Sequence, residues 1–226
     1  MPNWCSNEEV IEGPVNEIKS LYGKLNKWTS QNYVENGFGK GWLGNIVIGS
    51  GLKIIDDDPE NGVHCRGSVE ESYHTCDGKT TTGFLILEDE NTIRFHSMTA
   101  WGPMPEMWLR ILENHAPNCN YYFMSEEPGM ELYLSNDVDH LFFNDEFYVD
   151  VTYFNEDKVP EKYVDIFTDS SYDWTEDELI TAMQEITGSD EDDFHKLLEQ
   201  FNEQERADLA ENGYVTINEI KYEEVA

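Results

Sequence analysis

Forty-seven aspartates and glutamates against fourteen lysines and arginines leave this 226-residue chain with a formal charge of −33. Any fold it adopts must keep most of those carboxylates in water, because an ionised group taken into the interior without a partner is strongly disfavoured. A general binder of DNA, RNA or anionic lipid needs a basic face, and so few cations among so many anions do not build one. Disorder throughout is excluded from the other side. Apolar residues make up 39% and aromatic residues 13% of the chain, enough to fill a core. The length suits one domain of moderate size, or one domain with an extension.

The charge is graded along the chain. Residues 1–55 carry five acids and five lysines and are neutral; 56–100 carry −7, 101–150 carry −9 and 151–226 carry −17. Half of the imbalance therefore sits in the last third, the pattern of an acidic interaction surface. No apolar run approaches the ~18 residues of a membrane span. The start, Met1-Pro2-Asn3-Trp4-Cys5, has neither a basic region nor an apolar one. Cys5, Cys65, Cys76 and Cys119 are irregularly spaced and read as reduced thiols. The expectation is a soluble cytoplasmic protein.

Residues 3–12 read as a strand ending at Gly13-Pro14, and Pro14 opens a helix to about residue 29 with the stripe Val15, Ile18, Leu21, Tyr22, Leu25 and Trp28. Residues 36–90 are irregular, with two short apolar runs punctuated by Gly37, Gly39, Gly41, Gly44, Gly49 and Gly51 and an acidic loop at 56–62. Strands are predicted at 83–87 and 92–100, and a helix between Pro103 and Ala116 facing inward through Met104, Trp108, Ile111 and Leu112. The runs 121–124 and 130–134 flank Glu126-Glu127-Pro128-Gly129, a hairpin with a type II turn in its simplest form. A strand follows at 147–154. In the last third, Thr175 and Glu178 form a capping box, Ser189 starts a second helix carrying Phe194, Leu197, Leu198 and Phe201, a short third helix covers 203–212, and 214–220 reads as a strand.

His64, Cys65, His74 and Cys76 are the zinc-ligand types present. Their spacing departs from a Cys-x₂₋₄-Cys knuckle, and adjacent His64 and Cys65 do not face one metal easily. Asp56, Asp58 and Glu60 alternate like a calcium loop, but Pro59 intervenes, Gly62 comes one place late and Gly67 stands where the twelfth-position glutamate belongs. Glu126-Glu127 is not a working carboxylate pair, since neighbours on a strand face opposite ways and turn residues face water. Cys5, Trp4 and Trp101 read as core or packing residues. No Gly-x-Ser-x-Gly, P-loop, dinucleotide or His-Glu-x-x-His motif occurs. The sequence therefore predicts no catalytic residues, no metal and no cofactor. The anions remain. Asp173, Glu176, Asp177, Glu178, Asp190, Glu191, Asp192, Asp193, Glu199 and Glu203 are the candidate partner-binding residues. One or two acids at a helix start suit its dipole; this many exceed that role.

The opening Met1-Pro2-Asn3-Trp4-Cys5-Ser6-Asn7, followed by Gly13-Pro14 and an amphipathic helix, resembles a YubB-like family of uncharacterised phage- and plasmid-encoded proteins. Thr99-Ala100-Trp101-Gly102-Pro103, the helix with Trp108 and Leu112, Pro117, Tyr122-Phe123, Glu126 and Gly129 extend the resemblance, which covers residues 1–30 and about 92–136. It implies a ferredoxin-like domain and a mobile-element setting, and no established activity. The expected class is α+β: a ferredoxin-like split β-α-β core at 1–154 with an irregular insertion at about 38–90, and an acidic, mainly helical C-terminal extension at 155–226 docked on the core.

These features predict a non-enzymatic counter-defence protein that binds a host protein with a basic or nucleic-acid-binding surface, through nucleic-acid mimicry or plain charge attraction, without touching nucleic acid or membrane itself. The alternative is a small-ligand or nucleotide-binding protein with a pocket near the Gly-rich insertion. That reading needs a local basic patch, for which Lys19, Lys24, Lys27, Lys40 and Lys53 are candidates. An accessory phage protein without inhibitory role is a third reading, and an acidic surface serving only solubility is the non-functional account set against mimicry.

Overall fold

The strand predicted ahead of Gly13-Pro14 is β1 (Trp4–Glu12) in a computed structural model that describes residues 3–34, 39–58, 60–76, 79–167 and 174–224, with backbone alone for 72–76 and 79–82. Pro14 caps α1 (Val15–Thr29), whose residues Ile18, Leu21, Leu25 and Trp28 are buried at helical spacing. Next come α2 (Leu43–Gly49), β2 (Gly67–Val69), the hairpin β3 (Ser72–Cys76) and β4 (Lys79–Gly83), and β5 (Ile86–Asp89). The chain continues through β6 (Thr92–Ala100), α3 (Pro105–His115), β7 (Asn120–Glu127) and β8 (Leu132–Ser135). The class is α+β.

The chain divides into two units, Met1–Phe142 with Tyr222–Ala226, and Phe143–Lys221. In the first, the sheet order is β8-β7-β1-β6-β2, with β5 also on β6 and, beyond β8, the short β11 (Lys221–Tyr222). β6 and β7 both run antiparallel to β1 and so parallel to each other, and α3 joins them with β1 lying between. Residues alternate across β1, so Cys5, Asn7, Glu9 and Ile11 are buried on one face. That face carries a core of Ile11, Ile93, Phe95 and Phe123 beneath the buried stripes of α1, α2 and α3. Trp108 of α3 is fully buried, 4.7 Å from Phe95 and 6.1 Å from Tyr121 between ring centres, and its truncation to alanine costs about 3–5 kcal/mol.

Residues 38–90 are less irregular than predicted. The apolar run before Gly49 is α2, with Leu43, Ile46 and Val47 buried. Its last glycine reads as punctuation, yet it is a packing device: a Cβ there would meet the Trp28 ring at 2.4 Å. β2 and β5 pair with β6 and so belong to the main sheet. The strand predicted at 83–87 begins three residues later. The predicted type II turn is instead a short 3₁₀ turn at Pro128–Met130 closed by Glu131 in the left-handed region, with φ 53° and ψ 39°, and Glu126 and Glu127 lie inside β7 rather than in the turn.

The second unit contains β9 (Phe147–Tyr153), α4 (Glu161–Ile166), α5 (Glu176–Thr187), α6 (Phe194–Leu209) and β10 (Gly213–Glu219), with β9 and β10 antiparallel. Its own core gathers Phe147, Val149, Tyr163, Phe167, Leu179, Met183, Leu197, Phe201 and Val215. Because β9 pairs with β10, the expected boundary at 154/155 moves to 142/143. Because Tyr222 returns to the first unit and the Glu223 N–H donates to Ser135 O at 2.9 Å, this unit is an insertion and not a C-terminal extension. The second helix starts at Phe194 instead of Ser189, with Asp193 as N-cap, and it absorbs the predicted third helix up to Leu209.

The capping box is present: Thr175 Oγ1 accepts the Glu178 N–H, and Glu178 accepts the Thr175 N–H at 3.0 Å. Thr175→Ala is expected to lower unfolding free energy by about 1 kcal/mol, measured by urea denaturation, with no change in slope.

Candidate functional site

The acidic candidates fall into two groups. Three have work within the fold. Glu178 completes the capping box, whose N–H and hydroxyl donors hold its carboxyl below the usual range. Asp193 accepts the Lys196 N–H at 3.1 Å, and that bond lowers its pKa. Glu191 accepts the Asp193 N–H at 3.1 Å and pairs loosely with Lys196 at 3.8 Å. The remaining six described candidates, Glu176, Asp177, Asp190, Asp192, Glu199 and Glu203, are exposed. Among the described residues their carboxylates have no hydrogen-bond or ion-pair partner. Asp173 lies outside the described residues. Asp190 to Asp193 form the connection between α5 and α6 rather than a helical turn, so only Asp193 sits where the helix dipole rewards it directly. Glu199 and Glu203 stand four apart on α6, a like-charge spacing that weakens a helix.

Asp177 and Glu178 also border an open concavity of about 420 Å³ in the second unit, walled further by Glu185 and Thr181 and floored by Ile166, Trp174 and Ala182. An apolar floor under an acidic rim suits the stem and head of a long cationic side chain.

In the first unit the polar chemistry is buried. Asn7 and Glu9 on β1, Ser97 and Thr99 on β6, and Ser125 on β7 are all at most 2% exposed. The Asn7 amide donates to Ser97 O at 3.0 Å and Thr99 Oγ1 at 2.8 Å, and its carbonyl accepts from Ser125 Oγ at 2.7 Å. Thr99 Oγ1 in turn donates to Gly102 O at 2.8 Å. Glu9 takes the Tyr121 hydroxyl at 2.7 Å on one carboxyl oxygen, while the other has no partner among the described residues. Burial pushes its pKa up to about 7, with the Ser97 and Tyr121 hydroxyls and the Trp108 indole pulling back part of the way. Nothing in the sequence distinguishes Glu9 from its neighbour Glu8, which pairs with Arg94 at 3.2 Å on the other face, except the strand alternation that puts the odd positions inside.

A separate cavity of about 450 Å³ lies where the segment carrying His64 and Arg66 meets the turn after β6 and the start of α3; Trp101, Pro103, Met104, Glu106 and Met107 complete most of its wall. Val63 and Cys65 are buried while His64 and Arg66 are exposed, the period-2 alternation of extended backbone. That alternation also separates His64 from Cys65, so the two do not share a metal; the side chains of His74 and Cys76 lie outside the described residues. Among the described residues no group of three or more His, Cys, Asp or Glu is placed to hold a metal ion.

Trp4 and Trp101, predicted as packing residues, are 50% and 47% exposed. None of the five lysines expected to supply a basic patch lines the cavity. Lys19 pairs with Glu90 and Lys53 with Asp58 at 3.1 and 2.9 Å. That second pair, with the Asn61 N–H on Asp58 Oδ1 at 3.1 Å, also makes the 56–62 segment a self-contained acidic turn. Cys5 is a fully buried free thiol whose pKa burial pushes up to about 12, so it is protonated at neutral pH and no nucleophile. Among the described residues no helix is long and apolar enough to cross a membrane. Comparison with protein-family models, with curated proteins and with solved structures gives no match.

The Glu9 position generates a pH dependence of stability. Its folded pKa of about 7 stands above the ordinary 4.5, so the folded state favours the neutral acid. Its contribution is complete below pH 4.5 and is lost progressively as pH rises to 7. Between about pH 5.5 and about pH 8 the loss is roughly 2 kcal/mol. Glu9→Gln, a neutral isostere, is expected to remove that component, seen as a smaller fall in unfolding free energy than wild type over the same interval.

Proposed function

We propose that this is a non-enzymatic counter-defence protein of the YubB-like, mobile-element kind that binds and inhibits a basic host protein through the acidic surface of its second unit. The observation that carries the reading is the set of six exposed carboxylates on α5, α6 and their connection that have no hydrogen-bond or ion-pair partner among the described residues. The unit to which they belong, residues 143–221, has 23 acids and five bases, a net −18. Glu176 and Asp177 gain from the dipole at the start of α5, but Asp190, Asp192, Glu199 and Glu203 have no such reward, and unpaired like charges repel. The partner's chemistry follows from the concavity beside Asp177: a lysine or arginine laid over Trp174 and Ile166 would meet Glu178 and Glu185 at the rim. A nucleic-acid-binding protein presents such side chains in rows, and an anionic helical face competes for them by the same counterion release that drives DNA binding. The ferredoxin-like part of the reading is supported by the α3 crossover from β6 to β7 around β1, and the YubB-like part by the sequence blocks at either end of that arrangement.

Titrating the protein into complexes of basic host nucleases with labelled duplex DNA is expected to release the DNA, with at least about tenfold weaker competition at about 200 mM than at about 50 mM salt. The combined variant Glu176→Gln, Asp177→Asn, Asp190→Asn, Asp192→Asn, Glu199→Gln and Glu203→Gln should keep the wild-type fold by circular dichroism and should lose the competition. Equal competition by this variant, or no release of DNA by the wild-type protein from any nuclease tried, sinks the reading.

A further inference from the structure

The cavity between His64-Arg66 and Trp101–Met107 is independent of the acidic face, and its wall has a composition unlike the rest of this anionic chain. Arg66 is exposed, and its planar guanidinium presents donors in a fork that matches phosphate oxygens. Its backbone is fixed: the Ala100 N–H donates to Arg66 O at 2.8 Å. The following Gly67 lies so close to β6 that a Cβ would meet Met98 O at 2.1 Å. The guanidinium is thus carried on a segment clamped to the sheet, with His64 two residues before it on the same side.

Across the cavity, Trp101 has φ 74°, a left-handed conformation that bulky residues rarely adopt and that persists only when its surroundings impose it. Here they do. The Trp101 N–H donates to Asn3 O at 3.0 Å. Thr99, itself bonded by the buried Asn7 amide, holds Gly102 O on the other side. An indole kept half-exposed by strained backbone, on the wall of a cavity, is not explained by packing. A volume of about 450 Å³ is that of a small-molecule site.

We propose that this cavity binds a purine nucleoside monophosphate. The planar base stacks on Trp101 between the apolar walls of Pro103, Met104 and Met107. The phosphate takes the Arg66 fork with His64 beside it. Glu106, the one carboxylate on the wall, accepts a ring N–H or amino donor; the same group would repel an anion with no such donor, which favours a purine base over a simple aryl acid.

Isothermal titration calorimetry of the full chain at low salt tests this with guanosine 5′-monophosphate, adenosine 5′-monophosphate, guanosine and inorganic phosphate. Saturable binding of at least one monophosphate with Kd below about 1 mM is expected, at least about tenfold tighter than guanosine or phosphate alone. Arg66→Ala and Trp101→Gly should each weaken it about tenfold or more. Glycine relieves the positive φ, so the second variant keeps the wild-type Tm. Trp101→Phe should restore most of the affinity. No saturable binding of either monophosphate overturns the proposal. So does guanosine or phosphate binding as tightly as the nucleotide, or affinity unchanged in both Arg66→Ala and Trp101→Gly.

Discussion

The side-chain amide of Asn7 is the point on which the first unit turns. It sits at the centre of the sheet, on the buried face, and bonds at once to β6 through Ser97 and Thr99 and to β7 through Ser125. A half-buried sheet ordinarily fixes its register by apolar alternation. Here the middle of the alternation is polar, and a slip of either neighbour strand would strand buried donors and acceptors at about 1–3 kcal/mol each. The same network reaches outward. Thr99 passes from the Asn7 amide to the Gly102 carbonyl, so the turn that presents Trp101 is held by the interior rather than by its own sequence.

Glu9 shares that face and shows what the arrangement costs. A carboxyl with one unpartnered oxygen in the core is a stable tenant only while neutral. Phe95 and Phe123, paired with it on the neighbouring strands, supply the apolar surroundings that keep it so. Stability of the first unit is therefore tied to proton concentration near neutrality through Glu9, whereas the second unit closes its apolar stripes on one another and gives its buried Glu205 the Val215 N–H at 3.1 Å.

Much of the secondary structure was legible because it rests on local rules. Pro14, the stripes of α1 and α3, and the Thr175–Glu178 box mark elements that the structure places within a residue or two of their predicted ends. What was not legible depends on contacts distant in sequence. Gly49 looks like a break until Trp28 is seen filling the space a side chain would take. The strand at Phe147 looks like part of the first unit until its partner appears at 213–219. The acidic candidates were visible by composition, but only the fold separates the three whose carboxylates bond within helix ends from the six whose carboxylates have no partner among the described residues. The cavity was invisible, since Arg66 and Trp101 each look ordinary and meaning arises from their meeting.

The second unit leaves the first after Phe142 and is handed back at Tyr222, where Glu223 is bonded to Ser135 of β8. A module held at both ends differs mechanically from a tail. Its chain is a closed loop whose ends the host sheet already gathers, so part of the entropy of closing it is met before the module itself folds. Tension applied to this unit would enter the first at two places, the segment before Phe143 and the chain at Tyr222–Glu223 beside β8, instead of at one.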